Sequence, residues 1–458
     1  VQILRFCAFL LGRHNAFENS NFTPKARLES WLVAQLENKA NLTKLKAMIR
    51  NPDSSGRNLR RQAITMKSIY DMSYKQMEEW CESKGWKKFR TQQIFAWLYK
   101  ERVYDFDLMT NLSKETREEL KKDFTFNPLE LVRKQVASDG TTKFLFRTAD
   151  GALLESVLMI FDYGNSICVS SQVGCNMGCT FCASGLTKKQ RDLTSGEMMG
   201  QVMHVQAELD KKGERLSHIV VMGTGEPFDN YDNVMNFLFT ANHDRGLAIG
   251  SRHITISTSG IVPRIKQFAD GHYQYNLAIS LHAPNDKLRS QIMPIDRAYP
   301  LDQLMDAVAY YSKENNRKLT FEYILLKGVN DSAEHAHELA RLLRPYTCYV
   351  NLIPYNSVDE HGYKPVTRAE AMKFYDILKK EQIQVTIRKE HGSDIDAACG
   401  QLRIKELRKE KERKQAKALQ IQQDQKSKPS FKAAMVDGTA NVYDDAYGAN
   451  EMPDPDKE

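Results

Sequence analysis

Cys175, Cys179 and Cys182 fall within eight consecutive positions, Cys175-Asn176-Met177-Gly178-Cys179-Thr180-Phe181-Cys182. Thiolates at CxxxCxxC spacing favour soft metals. Three thiolates are one short of a closed zinc or iron–sulfur site. A 4Fe–4S cluster held this way keeps one iron open for a small molecule. Gly178 lets the loop bend round the cluster, and Phe181 can shield it from water. The alternative is a structural zinc completed by a distant His or Cys, although zinc motifs favour paired CxxC units. A second segment, Met222-Gly223-Thr224-Gly225-Glu226-Pro227, follows a strand pattern. Its small residues let backbone approach a ligand, and Glu226 can accept from an amine. Alone, such a turn carries little information, because glycine turns end many strands.

These residues need a scaffold, and 458 residues are ample for a large core. A hydrophobic content of 41% excludes wholesale disorder. No apolar run approaches the ~20 residues needed to span a bilayer. Eight cysteines are too sparse for a disulfide scaffold, and their crowding points to metal binding or catalysis. The charge of +7 permits a nucleic-acid partner without demanding one. The chain begins at Val1. Phe6–Leu11 is apolar, but it is short for a signal sequence and no cleavage pattern follows. A cytoplasmic location is the expectation.

Residues 1–67 read as an extension. Residues 68–130 read as a small helical domain, with Ser73, Thr91 and Ser113 as helix caps. Residues 131–165 carry a β-hairpin, Lys143–Arg147 and Leu153–Ile160, turning at Asp150-Gly151. Over residues 166–402, strands alternate with helices. The strands are Ile167–Ser170, His218–Met222, His253–Ser257, Tyr275–Leu281, Leu319–Leu325, Tyr349–Pro354 and Gln384–Arg388. Helices include Ser195–Leu209, Leu301–Glu314, Ala333–Leu343 and Arg368–Lys380. This pattern predicts an α/β fold, a partial (β/α)6 TIM-like barrel, with functional residues beyond the C-terminal strand ends. Residues 403–458 read as a charged, largely disordered tail.

The CxxxCxxC loop one β-α unit before the Gly223–Pro227 turn resembles the radical S-adenosylmethionine superfamily. Further segments narrow the match. They are Cys168–Cys175, Ser257–Gly260, Ser280–Asp286, Leu352–Asn356, and Gly392–Leu402 around Cys399. Over about residues 68–408 the chain resembles the RlmN family, dual-specificity RNA adenine carbon-2 methyltransferases of the radical type. Glu390-His391-Gly392 departs from the Arg-Gly of many relatives, which leaves that loop's contacts open.

The resemblance implies one 4Fe–4S cluster per chain on Cys175, Cys179 and Cys182. It implies S-adenosylmethionine held by Gly225, Glu226, Ser257, Ser280, Leu281, His282 and Asn356. Two S-adenosylmethionine molecules serve each turnover. One methylates Cys399, and the other yields a 5′-deoxyadenosyl radical that abstracts hydrogen from that S-methyl group. The methylene radical adds to carbon 2 of adenine, a carbon too electron-poor for ordinary methyl transfer. Glu155, between apolar strand residues, is the implied base for the carbon-2 proton. Cys168 is the implied thiol that attacks the Cys399 sulfur and leaves a disulfide. By residue type alone, Glu155 reads rather as a solvent-facing glutamate, and Cys168 and Cys399 as buried structural cysteines; the resemblance reverses these readings.

The implied partners are 23S rRNA and tRNA, an electron donor and a disulfide reductant, with the chain acting as a monomer. A carbon-8 rRNA methyltransferase and a non-catalytic RNA-binding factor are the rival readings. The helical domain offers Lys84, Lys87, Lys88, Arg90, Lys100 and Arg102, with Trp86 and Trp97, as candidate RNA contacts. A solvated surface with core tryptophans is the alternative for these.

Overall fold

The computed structural model describes residues 66–126, 129–315, 317–358, 361–388, 391–392, 394–395 and 401–427. The helical domain comes first: α1 (Tyr74–Ser83), α2 (Phe89–Phe95) and α3 (Lys114–Asp123). Ser73 accepts from the Gln76 amide while Gln76 reaches back to the Ser73 amide, a closed capping box. Ser113 caps α3. Thr91 does not cap a helix; it lies buried inside α2. The chain is already helical at Lys88, and early turn bonds from the Arg90 and Thr91 amides to Lys87 and Lys88 replace a side-chain cap.

A ten-stranded sheet forms the rest of the frame. Its strands are β1 (Glu130–Val136), β2 (Thr142–Arg147), β3 (Leu153–Phe161), β4 (Gly164–Cys168), β5 (Leu216–Val221), β6 (Ile254–Thr258), β7 (Asn276–Ser280), β8 (Leu319–Leu325), β9 (Cys348–Pro354) and β10 (Gln384–Ile387). They lie side by side in chain order. Strands β1 to β4 form an antiparallel meander. From β4 to β10 every pairing is parallel.

The crossovers carry α4 (Ser195–Asp210), α5 (Tyr231–Asn242), α6 (Val262–Asp270), α7 (Asp286–Ile292), α8 (Leu301–Glu314), α9 (Ala333–Leu343) and α10 (Arg368–Lys380). This is the expected partial β/α barrel, its parallel strands being those named from the sequence. The predicted hairpin is present in register, Leu145 opposite Glu155, but it extends the barrel sheet rather than linking to it. Outward strand residues such as Ile219, Ile256 and Val350 are fully buried, as are Met198, Met199 and Met203 of α4.

Residues 401–458 form a separate unit. Within it, α11 runs unbroken over Gln401–Ser427. This corrects the expectation of disorder from residue 403. Lys, Arg, Glu, Gln, Ala and Leu are strong helix formers, so propensity suffices where no apolar stripe exists. Residues 428–458 and 1–65 lie outside the described residues.

Candidate active site

The loop after β4 returns along the barrel top. The Ser171 and Gln172 amides donate to the Thr224 carbonyl, and the Gly223 amide donates to Val169. These bonds fix the cysteine loop against the Gly223–Pro227 turn. Gly178 has φ 68°, the bend expected of that loop. Gly225 has φ 112°, and a Cβ there would lie 2.6 Å from the Gln172 Cβ. Only glycine lets these two loops touch.

Cys175, Cys179 and Cys182 line one cavity of about 530 Å³. Burial, with Cys182, Glu226 and Asp229 adding to it, pushes the Cys175 thiol up to about 12 despite a hydrogen bond from the Met177 amide. Burial also raises the Cys179 thiol well above its ordinary value, and the neighbouring Cys182 and Cys175 add to the shift. Crowded, desolvated thiols need a strong cationic partner to ionise, which is what a metal supplies. Among the described residues no trio of His, Cys, Asp or Glu is gathered to hold a single metal ion. Three desolvated cysteines lining one hollow are one ligand short of a closed site, which suits a cluster with one iron open to a ligand. Phe181 is buried beside them, edge-on to the His282 ring with centroids 5.0 Å apart.

The same cavity is lined by Gly225, Glu226, Ser257, Ser280, His282 and Asn356. Glu226 is buried and accepts from the Phe228 and Ser259 amides at 3.0 and 2.7 Å. Burial raises its pKa, and these hydrogen bonds oppose the rise. His282 has φ 57° and accepts at Nδ1 from the Ile324 amide at 3.0 Å. Burial, with Arg289 adding to it, lowers its pKa to about 3. The ring is therefore neutral, and its proton sits on Nε2. Ser257 and Ser280 hydroxyls stand 3.4 Å apart. Leu281 differs: its side chain is fully buried, so only its backbone is available to a ligand.

Cys168, at the end of β4, is buried among Val157 and Met159 and lines the same cavity. Cys399 lies outside the described residues. The stem of its loop does not. The Gly392 amide donates to Asp139 at 3.1 Å, and Asp394 accepts from the Ser138 amide at 2.9 Å. His391, the departure from the family pattern, contacts Asp139 at 3.4 Å and packs edge-on against Phe161. The β1–β2 turn thus grips the strand-to-Cys399 connection at two points.

Glu155 lies on the barrel-facing side of β3 and is 4% exposed, so it is not the solvent-facing residue that its type allows. It pairs with Lys143 of β2 at 3.0 Å, and Lys143 is wholly buried. Neither is among the residues lining the cavity. The buried lysine is a feature the sequence reading missed. Breaking a buried pair leaves an uncompensated charge. Lys143→Met should therefore cost about 3–5 kcal/mol, seen as a lower urea midpoint. Adding Glu155→Leu should recover most of that loss, and an unchanged midpoint in the single variant would show the pair to be dispensable.

Several proposed RNA contacts are occupied within the protein. Lys84 pairs with Glu119 and Asp123 at 2.7 and 2.8 Å. Arg102 pairs with Asp210 at 2.7 Å. Trp86 packs edge-on against Trp80, and Trp97 donates to Asn111. Lys87 and Lys100 remain exposed, and Lys88 is exposed but stands 3.8 Å from both Glu78 and Glu82.

Comparison with known proteins bears directly on this arrangement. The Radical SAM superfamily profile matches residues 169–343, spanning the cysteine loop and β5 to β8. The ribosomal RNA large subunit methyltransferase N-terminal domain profile matches residues 67–125, the helical domain. A probable dual-specificity RNA methyltransferase RlmN of Listeria welshimeri is 56% identical over 347 residues, 75% of this chain and 95% of that protein. The chain belongs to the RlmN family. The Enterococcus faecalis RlmN relative is 56% identical over 353 residues, 76% of this chain and 99% of that protein. The crystal structure of a radical SAM methyltransferase from Sphaerobacter thermophilus superposes with a TM-score of 0.70. It shares 43% identity and covers 73% of this chain and 98% of that one. The RlmN match thus spans both the helical domain and the barrel.

Proposed function

We propose that this protein methylates carbon 2 of adenosine in 23S rRNA, in the peptidyl transferase centre, and in tRNA, 3′ of the anticodon. The observation that carries the reading is one cavity lined by Cys175, Cys179, Cys182 and Cys168 together, in a chain 56% identical to an RlmN relative over 347 residues. That identity disfavours the carbon-8 reading. Cys175, Cys179 and Cys182 would hold the cluster and the Gly225–Glu226 turn the S-adenosylmethionine, which together would supply a hydrogen-abstracting carbon radical.

The chain's own residues do the rest. The Cys399 thiolate takes a methyl group and holds the one-carbon unit against adenine carbon 2. Glu155, after leaving its pairing with Lys143, removes the carbon-2 proton as the radical adduct gives up one electron, for which the cluster would be the acceptor. The Cys168 thiolate attacks the Cys399 sulfur, forming the S–S bond while the S–CH2 bond breaks. The released electron pair passes into the methylene-adenine, which becomes the methyl product on protonation. An external thiol must then reduce Cys168–Cys399. A reducing compartment such as the cytoplasm suits this cycle, with a separate electron donor and a monomeric chain. Among the described residues no helix is long and apolar enough to cross a membrane.

Anaerobic purification should give a brown protein with about four irons per chain. Incubated with 23S rRNA and tRNA side by side, it should yield 2-methyladenosine in both by nucleoside mass spectrometry. A product methylated only at carbon 8 would refute the reading.

A further inference from the structure

We propose that Glu322 recognises the target adenine by accepting a hydrogen bond from its 6-amino group. The inference rests on the function proposed above. Glu322 lies on β8, is 6% exposed, and lines the cavity beside which no role has been assigned to it. Ser280, Glu322, Asn351 and Thr386 are register partners on four adjacent parallel strands, so they share the barrel-facing side. They form a polar belt. Asn351 donates to Glu322 at 2.9 Å, and Thr386 donates to Asn351 at 3.3 Å. Asn351 is thereby oriented with its amide nitrogen toward the carboxylate.

One amide donor is few for a buried carboxylate, which has about four lone-pair sites. The opposite wall is apolar and holds Val157, Met159 and Cys168. Arg388 joins the two walls. Burial raises the Glu322 pKa, the Arg388 charge and the Asn351 hydrogen bond oppose the rise, and the Arg388 guanidinium reaches the Met159 sulfur at 3.9 Å. The target base must lie beside Cys168 when the C–S bond breaks. A base with its carbon-2 edge toward that thiol can present a donor group to the polar belt. An exocyclic amine suits a carboxylate acceptor. Glu322 also stands level with Ser280, so S-adenosylmethionine is the competing ligand, and the experiment separates the two.

Holoenzymes of the wild type, Glu322→Ala and Glu322→Gln are reconstituted anaerobically and matched for iron content and melting temperature. Each is assayed on tRNA carrying either adenosine or purine riboside, which lacks the amine, at the target position. S-Adenosylmethionine binding is measured by equilibrium dialysis, and Cys399 methylation by peptide mass spectrometry. Losing a hydrogen bond to a charged group should lower kcat/KM on adenosine by about 10- to 100-fold in Glu322→Ala. The penalty should vanish on purine riboside. Cofactor binding and Cys399 methylation should be unchanged in both variants. Equal losses on both RNAs, weakened cofactor binding, or no loss at all would each overturn the assignment. Absence of 2-methyladenosine with the wild type would instead defeat the function on which it rests.

Discussion

Cys168→Ala should stop turnover and leave the protein covalently joined to RNA. In the proposed cycle, once the one-carbon unit bridges Cys399 and adenine, a thiolate must attack the Cys399 sulfur so that the S–CH2 bond breaks. Cys168 is buried, lines the cavity, and packs against Val157 and Met159, so its position is set by the strand rather than by a loop. Alanine keeps the packing and removes the nucleophile. No other described cysteine can substitute without dismantling the site. Cys81 sits in the helical domain, and Cys348 opens β9, at the opposite end of that strand from the cavity. Removing an essential nucleophile lowers turnover on the order of 10³-fold or more. Denaturing gels with labelled tRNA should show a slow-migrating protein–RNA species in this variant. Cys399→Ala should show neither product nor adduct, because it never acquires the methyl group. Normal turnover of Cys168→Ala would remove the release step from the mechanism.

The alternation of strands and helices was legible because short segments rich in β-branched and aliphatic residues recur between helices with an apolar stripe. Leu319–Leu325, Leu301–Glu314, Ala333–Leu343 and Arg368–Lys380 coincide with the expected segments. Strand β1 was not legible. Glu130–Val136 carries mixed charges and stays partly exposed along its length, as an edge strand does, so no period of two marks it. The cysteine loop stood out in the sequence by its spacing. The ionic groups around it did not. Lys143, Arg289 and Glu322 are residue types that ordinarily sit at the surface. Each sits in an unremarkable context, and only the pairing of distant segments shows it to be buried. Lys143 meets Glu155 across a hairpin, Glu322 meets Asn351 across a strand pair, and Arg289 meets Ser259 across a loop. The Asp139 grip on Gly392 spans most of the barrel sequence, and no local signal announces it.

Arg289→Met should lower stability by about 3–5 kcal/mol and deplete the cluster. The Arg289 side chain is wholly buried and pairs with Asp296 at 2.9 Å, itself 3% exposed. The guanidinium also donates to the carbonyls of Ser259, Leu281 and Ser280 at 2.7, 3.2 and 3.4 Å. It therefore ties the ends of β6 and β7, where Ser257, Ser280 and His282 face the cavity. Burial lowers its pKa, while Asp296 and Cys179 favour its charge. The same charge opposes the upward shift of Cys179. Methionine fills much of the volume but strands Asp296 and three carbonyl oxygens. Two measurements separate the structural role from the electrostatic one. Urea unfolding of Arg289→Met should show a lower midpoint, and Asp296→Leu in the same chain should restore part of it by removing the orphaned carboxylate. Iron content should stay low in the double variant, because the Arg289 charge no longer acts on Cys179. Full iron in the double variant would reduce Arg289 to a packing role, and wild-type stability in the single variant would show that these buried bonds do not hold the strand ends.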